Sequence, residues 1–180
     1  MNTQTTGVSF GFDPIAAPNA TVLILGSLPS QESLRKQEYY GNLQNAFWHV
    51  MGELIDAGPE IPYPKRADKL RRSGIAVWDV LQSSVRPGSM DAAIDLTTAT
   101  PNDFQAFFEA HPMLELLCFN GKKAAELYRR LVAPQRFSII DNIEFRTLPS
   151  TSPAYASMKL DEKVRLWSAI QRPGGGSRST

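Results

Sequence analysis

The chain predicts a three-layer α/β/α sandwich around a mostly parallel central sheet. Three observations carry that expectation. Short apolar runs rich in aliphatic residues recur, such as TVLILG at 21–26, IAVWDV at 75–80 and LELLCF at 114–119. Amphipathic stretches at helical spacing lie between them, and glycines stand where the two kinds of segment meet. Continuous rather than alternating apolar runs mark strands buried on both faces, and strands that alternate with helices pair in parallel.

Taken in order, the first strand at 21–26 ends on Gly26 and opens into GSLPS. AFWHVMGELIDA at 46–57 puts Phe47, Val50, Met51, Leu54 and Ile55 on one helical face, with Gly58-Pro59 as the stop. A short basic helix is expected at 64–72, closed by Gly74, and then the strand at 75–80. LQSSVRPGSMDAA at 81–93 reads as a long loop. Pro101 opens a helix that carries Phe104, Phe107 and Phe108. The strand at 114–119 passes through Asn120-Gly121 into an amphipathic helix at 122–132. Residues 137–140 and 143–148 give one or two late strands, followed by the loop PSTSPAYAS and a helix at 160–170. Residues 1–172 form a single domain and 173–180 a flexible tail.

Composition excludes several functions. With 180 residues, 42% of them hydrophobic and 21% charged, the balance is that of an ordinary globular domain. No apolar run approaches the roughly 20 residues of a membrane span. The N-terminus lacks a secretory signal, and a cytoplasmic location is expected; a monomer is expected as well. The single Cys118 rules out a disulfide framework, and His49 and His111 have no partner at metal-ligand spacing. No metal or other cofactor is expected. A net charge of +1 gives no global sign of nucleic acid, and the lysine and arginine clusters at 65–72 and 122–130 read as solvated helix faces.

In open parallel sheets ligands bind beyond the carboxyl ends of the strands. The loops expected there are GSLPS, VWDVLQSSVRPGS, FNGKK and LPSTSPAYAS, and they should converge on one pocket. No dinucleotide or P-loop fingerprint follows the first strand, and GSLPS is not a nucleophile elbow with a histidine to serve it. The loops offer amides, hydroxyls and aromatics instead, a set suited to stacking a flat heterocycle, reading its edge and holding phosphates.

Five segments, in order, resemble the uracil-DNA glycosylase superfamily and within it the hypoxanthine-DNA glycosylase branch. They are LILGSLPS at 23–30, YYGNLQNAFW at 39–48, GIAVWDVLQSSVRPGSMDAAI at 74–94, FNGKKA at 119–124 and LPSTSPAYAS at 148–157. The resemblance implies a monofunctional DNA glycosylase that flips out a deaminated base and hydrolyses its N-glycosidic bond, leaving an abasic site and releasing the free base. Most of the superfamily has Asp or Asn at the third position of the first motif. Leu28 stands there, as in the hypoxanthine branch, where the catalytic amide comes from the second motif and matches Asn45.

The resemblance implies Asn45 and Ser27 as catalytic residues, with Asn45 positioning water or sugar. An asparagine before Ala46 equally reads as a helix cap, and one residue can do both. Around the base the expected residues are Gly26, Leu28, Pro29 and Tyr40, the last for stacking, with Asn42, Asp79 and Asn120 at its edge and below. On DNA they are Ser30, Arg86, Ser150, Thr151 and Ser152, with Tyr155 wedging the duplex. Asn42-Leu43 replaces the branch's usual His-Pro, which makes uracil the first expected base, with hypoxanthine or xanthine as the alternative. A catalytically silent nucleic-acid-binding domain is the reading from another class.

Overall fold

The computed structural model describes residues 7–171. In chain order the strands and helices are β1 (Val8–Phe10), β2 (Val22–Gly26), α1 (Gln31–Lys36), α2 (Phe47–Ile55), α3 (Tyr63–Arg72), β3 (Ile75–Asp79) and β4 (Leu81–Val85). Then come β5 (Thr100–Pro101), α4 (Phe104–Ala110), β6 (Leu116–Asn120), α5 (Lys122–Leu131), β7 (Glu144–Leu148) and α6 (Leu160–Trp167). The expected tail at 173–180 lies outside the described residues.

The central sheet has the order β3-β2-β6-β7 and every pair in it is parallel. All five residues of β2 and all five of β3 are buried, as the continuous apolar runs require. At the β7 edge the sequence turns polar, and only Leu148 of that strand is buried. Leu25 is in register with Trp78 on one side and Phe119 on the other, so these three share one face. Trp78 packs on Phe104 and Phe107 of α4, and Phe119 on Tyr128 of α5, which identifies the helical layer over that face. The other layer is α2, α3 and α6, joined through Phe47 on Trp167 and Trp48 on Tyr63. Phe47 and Trp167 are both fully buried. Each side chain of that kind stabilises the fold by about 1.5–3 kcal/mol. The architecture is the expected three-layer sandwich.

Three local readings need correction and a fourth is narrowed. The stretch 81–93 is not a loop throughout: its first five residues form β4, centre of a second, antiparallel sheet of order β1-β4-β5. Only Leu81 and Ser84 of that strand are buried, a pattern too weak to announce a strand. Residues 31–36 form a helix that the sequence reading left out; Ser30 caps it by accepting the Ser33 N–H. Pro101 lies in β5, and α4 starts at Phe104 behind Asp103, whose carboxylate accepts the Ala106 N–H at 3.0 Å. Residues 138–142 form a 3-10 turn, so the late part of the chain contributes one strand to the sheet, not two. Cys118 is buried in the central sheet, where burial pushes its thiol up to about 12 and keeps it inert.

Candidate active site

The carboxyl ends of β2, β3 and β6, with the loop after β7, open into one pocket of about 490 Å³. It is lined by Gly26–Ser30 after β2, by Tyr39, Tyr40, Asn42 and Asn45, by Asp79, by Ser89–Ala92, by Asn120, and by Ser150–Tyr155. Of the fifteen residues named from the sequence, all but Arg86 face it.

Its floor is built by three of them. Gly26 ends β2 beside Asp79 at the end of β3. A Cβ on Gly26 would stand 2.5 Å from the Asp79 carboxylate Oδ1 and 3.1 Å from the Tyr40 hydroxyl. Only a bare backbone lets both polar groups approach the strand end. Asp79 is 5% exposed, and among the described residues its Oδ2 and the Tyr40 hydroxyl have no hydrogen-bond partner. Burial pushes the Asp79 carboxyl up to about 7; the nearby Asp91 charge adds to this and the Arg86 charge opposes it. Burial, with the Asp79 charge second, likewise raises the Tyr40 phenol above its ordinary value. The floor is therefore a set of polar groups held out of water with hydrogen bonds still to make.

Tyr40 also forms a wall. Its backbone is left-handed, with φ of 54°, and its ring stacks on Phe47 at 4.0 Å between centroids. Phe47 thus braces one face of a ring that lines the pocket. Neighbouring Tyr39 turns inward instead, donating its hydroxyl to the Phe12 and Asp13 carbonyls. The left-handed residue lets two adjacent tyrosines do opposite jobs.

Asn45 and Asn42 both use their oxygens locally. Ala46, not Asn45, is the N-cap of α2, and it makes no side-chain cap bond; Asn45 stands one residue earlier, where its Oδ1 accepts the Phe47 N–H at 2.9 Å in a turn that leads into the helix. This fixes the side-chain amide of a residue that lines the pocket. Asn42 Oδ1 accepts the Gln44 N–H at 2.9 Å and shapes the turn.

On the opposite wall, Asn120 holds the 150–155 loop. Its Nδ2 donates to Thr151 Oγ1 at 2.8 Å and its Oδ1 accepts the Thr151 N–H at 2.9 Å. The Thr151 carbonyl then accepts the Ala46 N–H, tying this loop to the Asn45 loop. Trp167 and Lys163 of α6 fasten the same loop from behind, through the Pro149 and Tyr155 carbonyls. Gly121, at φ of 91°, admits Ser150: a Cβ there would lie 2.9 Å from the Ser150 Cβ. Tyr155 is 42% exposed at the rim.

Arg86 is the correction. Expected on the DNA surface, it is 3% exposed, and its guanidinium donates to the Leu28 and Pro29 carbonyls. It holds the GSLPS turn from inside. Ser30, also expected on DNA, lines the pocket while its hydroxyl caps α1. The residue that sequence reading passed over is Asp91. It lines the pocket and accepts the Ser27 hydroxyl at 2.6 Å across 64 residues of chain. It lies within the third motif, but nothing in SMDAA announces a partner so far away.

Fold and site together define an α/β/α scaffold with one slot at the strand ends, lined by tyrosine rings and asparagine amides. Comparison with known proteins identifies the family. The sequence profile described as the uracil DNA glycosylase superfamily matches residues 13–171. A hypoxanthine DNA glycosylase of Methanosarcina acetivorans is 38% identical over 163 residues, 90% of this chain and 97% of the relative. One of Methanosarcina barkeri is 39% identical over 117 residues, 64% and 73% of the two chains. A solution NMR structure of a candidate uracil DNA glycosylase from Methanosarcina acetivorans superposes with a TM-score of 0.73 at 36% identity, covering 92% of this chain and all of the other. The chain belongs to the uracil DNA glycosylase superfamily and is a DNA glycosylase, a hydrolase of N-glycosyl bonds.

Proposed function

We propose that this glycosylase removes hypoxanthine from DNA, flipping the nucleotide into the strand-end pocket and leaving an abasic site. The observation that carries this reading is the floor at Gly26, where Asp79 and the Tyr40 hydroxyl lie buried with hydrogen bonds unmade. A base that enters edge first supplies those partners, hypoxanthine through its N1–H and O6 and uracil through the same pattern at N3–H and O4, so the floor supports a flipped base and the choice of base rests on the relatives. Relatives named as hypoxanthine DNA glycosylases, matched along nearly the whole chain in one case, support that base ahead of uracil.

Uracil was the first expectation because Asn42 replaces a histidine. The Asn42 oxygen is engaged with Gln44 in the turn, which weakens its use as a reader of pyrimidines. Asn42 still lines the pocket, so uracil stays as the second reading.

The chemistry follows from the aromatic and amide groups of the walls. Glycosidic cleavage passes through an oxocarbenium-like state in which bond breaking runs ahead of attack. Base stacking on Tyr40 contributes about 1–3 kcal/mol. Donors aimed at the departing base oxygen contribute roughly 3 kcal/mol each. Asn45, held by its bond to the Phe47 N–H, places the water or sugar; Ser150, Thr151 and Ser152 take the flanking phosphates. The unstacking cost of flipping is met by these contacts.

The test is a panel of oligonucleotides carrying hypoxanthine, xanthine or uracil, single-stranded and opposite each base, incubated in EDTA and then treated with alkali. Strand cleavage fastest at hypoxanthine is expected. Cleavage confined to uracil would return the assignment to the second reading, and a mobility shift without cleavage at any base would leave a binding domain only.

A further inference from the structure

The GSLPS turn carries no acid, and the carboxylates that line the pocket are those of Asp79 and Asp91. They lie at different depths. Asp79 is on the floor at 5% exposure, whereas the Asp91 side chain is 44% exposed at the rim. A base that fills the slot reaches the floor with its edge, and its sugar, still joined to the strand, stays at the rim.

Asp91 is also held in a defined place. Ser27 Oγ donates to its Oδ1 at 2.6 Å, and Arg86 Nη1 stands 3.7 Å from the same oxygen. The loop that carries it is stitched to the GSLPS turn beside it. Gln31 N–H donates to Ser89 Oγ at 2.9 Å, Gln31 Nε2 to the Gly88 carbonyl at 3.2 Å, and Arg86 to the carbonyls of Leu28 and Pro29. Both contacts of Asp91 fall on Oδ1, which leaves Oδ2 without a protein partner among the described residues. A half-exposed ion pair at that distance does little for stability. A hydrogen bond to Ser27 alone would be served as well by an asparagine. The charge also offsets the buried Arg86 guanidinium through Oδ1, and Oδ2 remains for a second use.

We propose that Asp91 is the anionic catalytic residue of this pocket, facing the sugar of the flipped nucleotide, with Ser27 positioning it. The inference rests on the glycosylase reading given above. The bond from the sugar C1′ to the base nitrogen breaks, and its electron pair leaves with the base, which takes a proton from solvent. Positive charge builds on the sugar opposite the Asp91 carboxylate, which stabilises it. The oxygen of a water molecule bonds to C1′ and its proton passes to Asp91 Oδ2, from which it returns to solvent.

The test uses the full chain and a duplex carrying hypoxanthine, with single-turnover cleavage as one readout and affinity for a duplex carrying a tetrahydrofuran abasic site as the other. Asp91→Asn keeps an acceptor for Ser27 and removes the charge; its cleavage rate should fall at least 100-fold while abasic-site affinity stays within threefold. Asp91→Glu should recover at least tenfold over Asp91→Asn. Ser27→Ala, which leaves the Arg86 contact untouched, should lose about five- to tenfold and carries the test if Asp91→Asn does not fold. A wild-type rate in Asp91→Asn, or in Ser27→Ala when that variant stands in, overturns the assignment alone. A wild-type protein that cleaves none of the deaminated bases overturns it together with the reading on which it rests.

Discussion

Asn120 grips Thr151 twice, donating to its hydroxyl and accepting its backbone N–H, so that the end of one central strand carries the loop at 150–155. One donor hydrogen and one lone pair of the amide are not used by that grip. Under the proposed function the same side chain serves both loop position and recognition.

Asn120→Ala should lose on both counts. Thr151 is 1% exposed, and its N–H and hydroxyl would be left buried without their partner. We expect about 2 kcal/mol of lost stability in chemical denaturation, together with at least a tenfold slower cleavage. A loss below about 0.5 kcal/mol would mean that the pair does not hold the loop.

Asn45 separates its two duties through two substitutions. Asn45→Ala removes the contact to Phe47 N–H and should cost about 1 kcal/mol, with cleavage at least tenfold slower. Asn45→Asp keeps an oxygen on that N–H, and an acid at a helix start is favourable. It should fold as well as wild type and still cleave slowly, because the amide N–H donors are gone. Single-turnover rates beside thermal melts distinguish the outcomes; a fast Asn45→Asp would take the amide out of the chemistry.

Asp79 makes stability depend on pH. Its carboxyl is raised from 3.8 in the unfolded chain to about 7 in the fold. The unfolded chain gives up that proton first, so folding is favoured fully below the lower value and loses this contribution as pH rises through the upper one. Between pH 5 and pH 8 the wild type should lose on the order of a few kcal/mol. Asp79→Asn should flatten that slope, as read by urea unfolding at a series of pH values. Parallel slopes for the two proteins would show that Asp79 is not the titrating group.

Arg86→Ala tests the corrected role. A buried guanidinium bound to two carbonyls stabilises the turn, and its removal should cost about 3 kcal/mol. The salt dependence of DNA binding should stay the same, because no phosphate contact is lost. A drop of about one in the slope of log affinity against log salt would return Arg86 to the DNA surface.

The central strands were readable because burial on both faces leaves an unbroken apolar run, as in Val22–Gly26 and Ile75–Asp79. The small sheet was not. LQSSV buries two residues of five, and its partner VSF lies more than 70 residues upstream, so neither strand signals the other. Arg86 was misread for a related reason. A loop arginine beside proline and glycine looks solvent-facing, and the carbonyls of Leu28 and Pro29 that draw it inward belong to a turn 57 and 58 residues away. Asn45 and Asn120 stand next to a helix start and a strand end that the sequence does announce, whereas Tyr40, in the loop between α1 and α2, was legible only through the resemblance of the second motif. Asp91 depends on a pairing across 64 residues, which local pattern does not reveal.

One strand-to-strand passage has a wider consequence. Asp79 closes β3, Leu81 opens β4, and the backbone N–H groups of Val80 and Leu81 continue the ladder onto the Gly26 and Ser27 carbonyls. A single residue, Val80, therefore joins the strand that sets the floor to the stretch 81–100 that carries the rim. Because Arg86 and Asp91 of that stretch reach back to Leu28, Pro29 and Ser27, a substitution at the rim is transmitted to the floor, and the two levels of the slot are tuned together rather than apart.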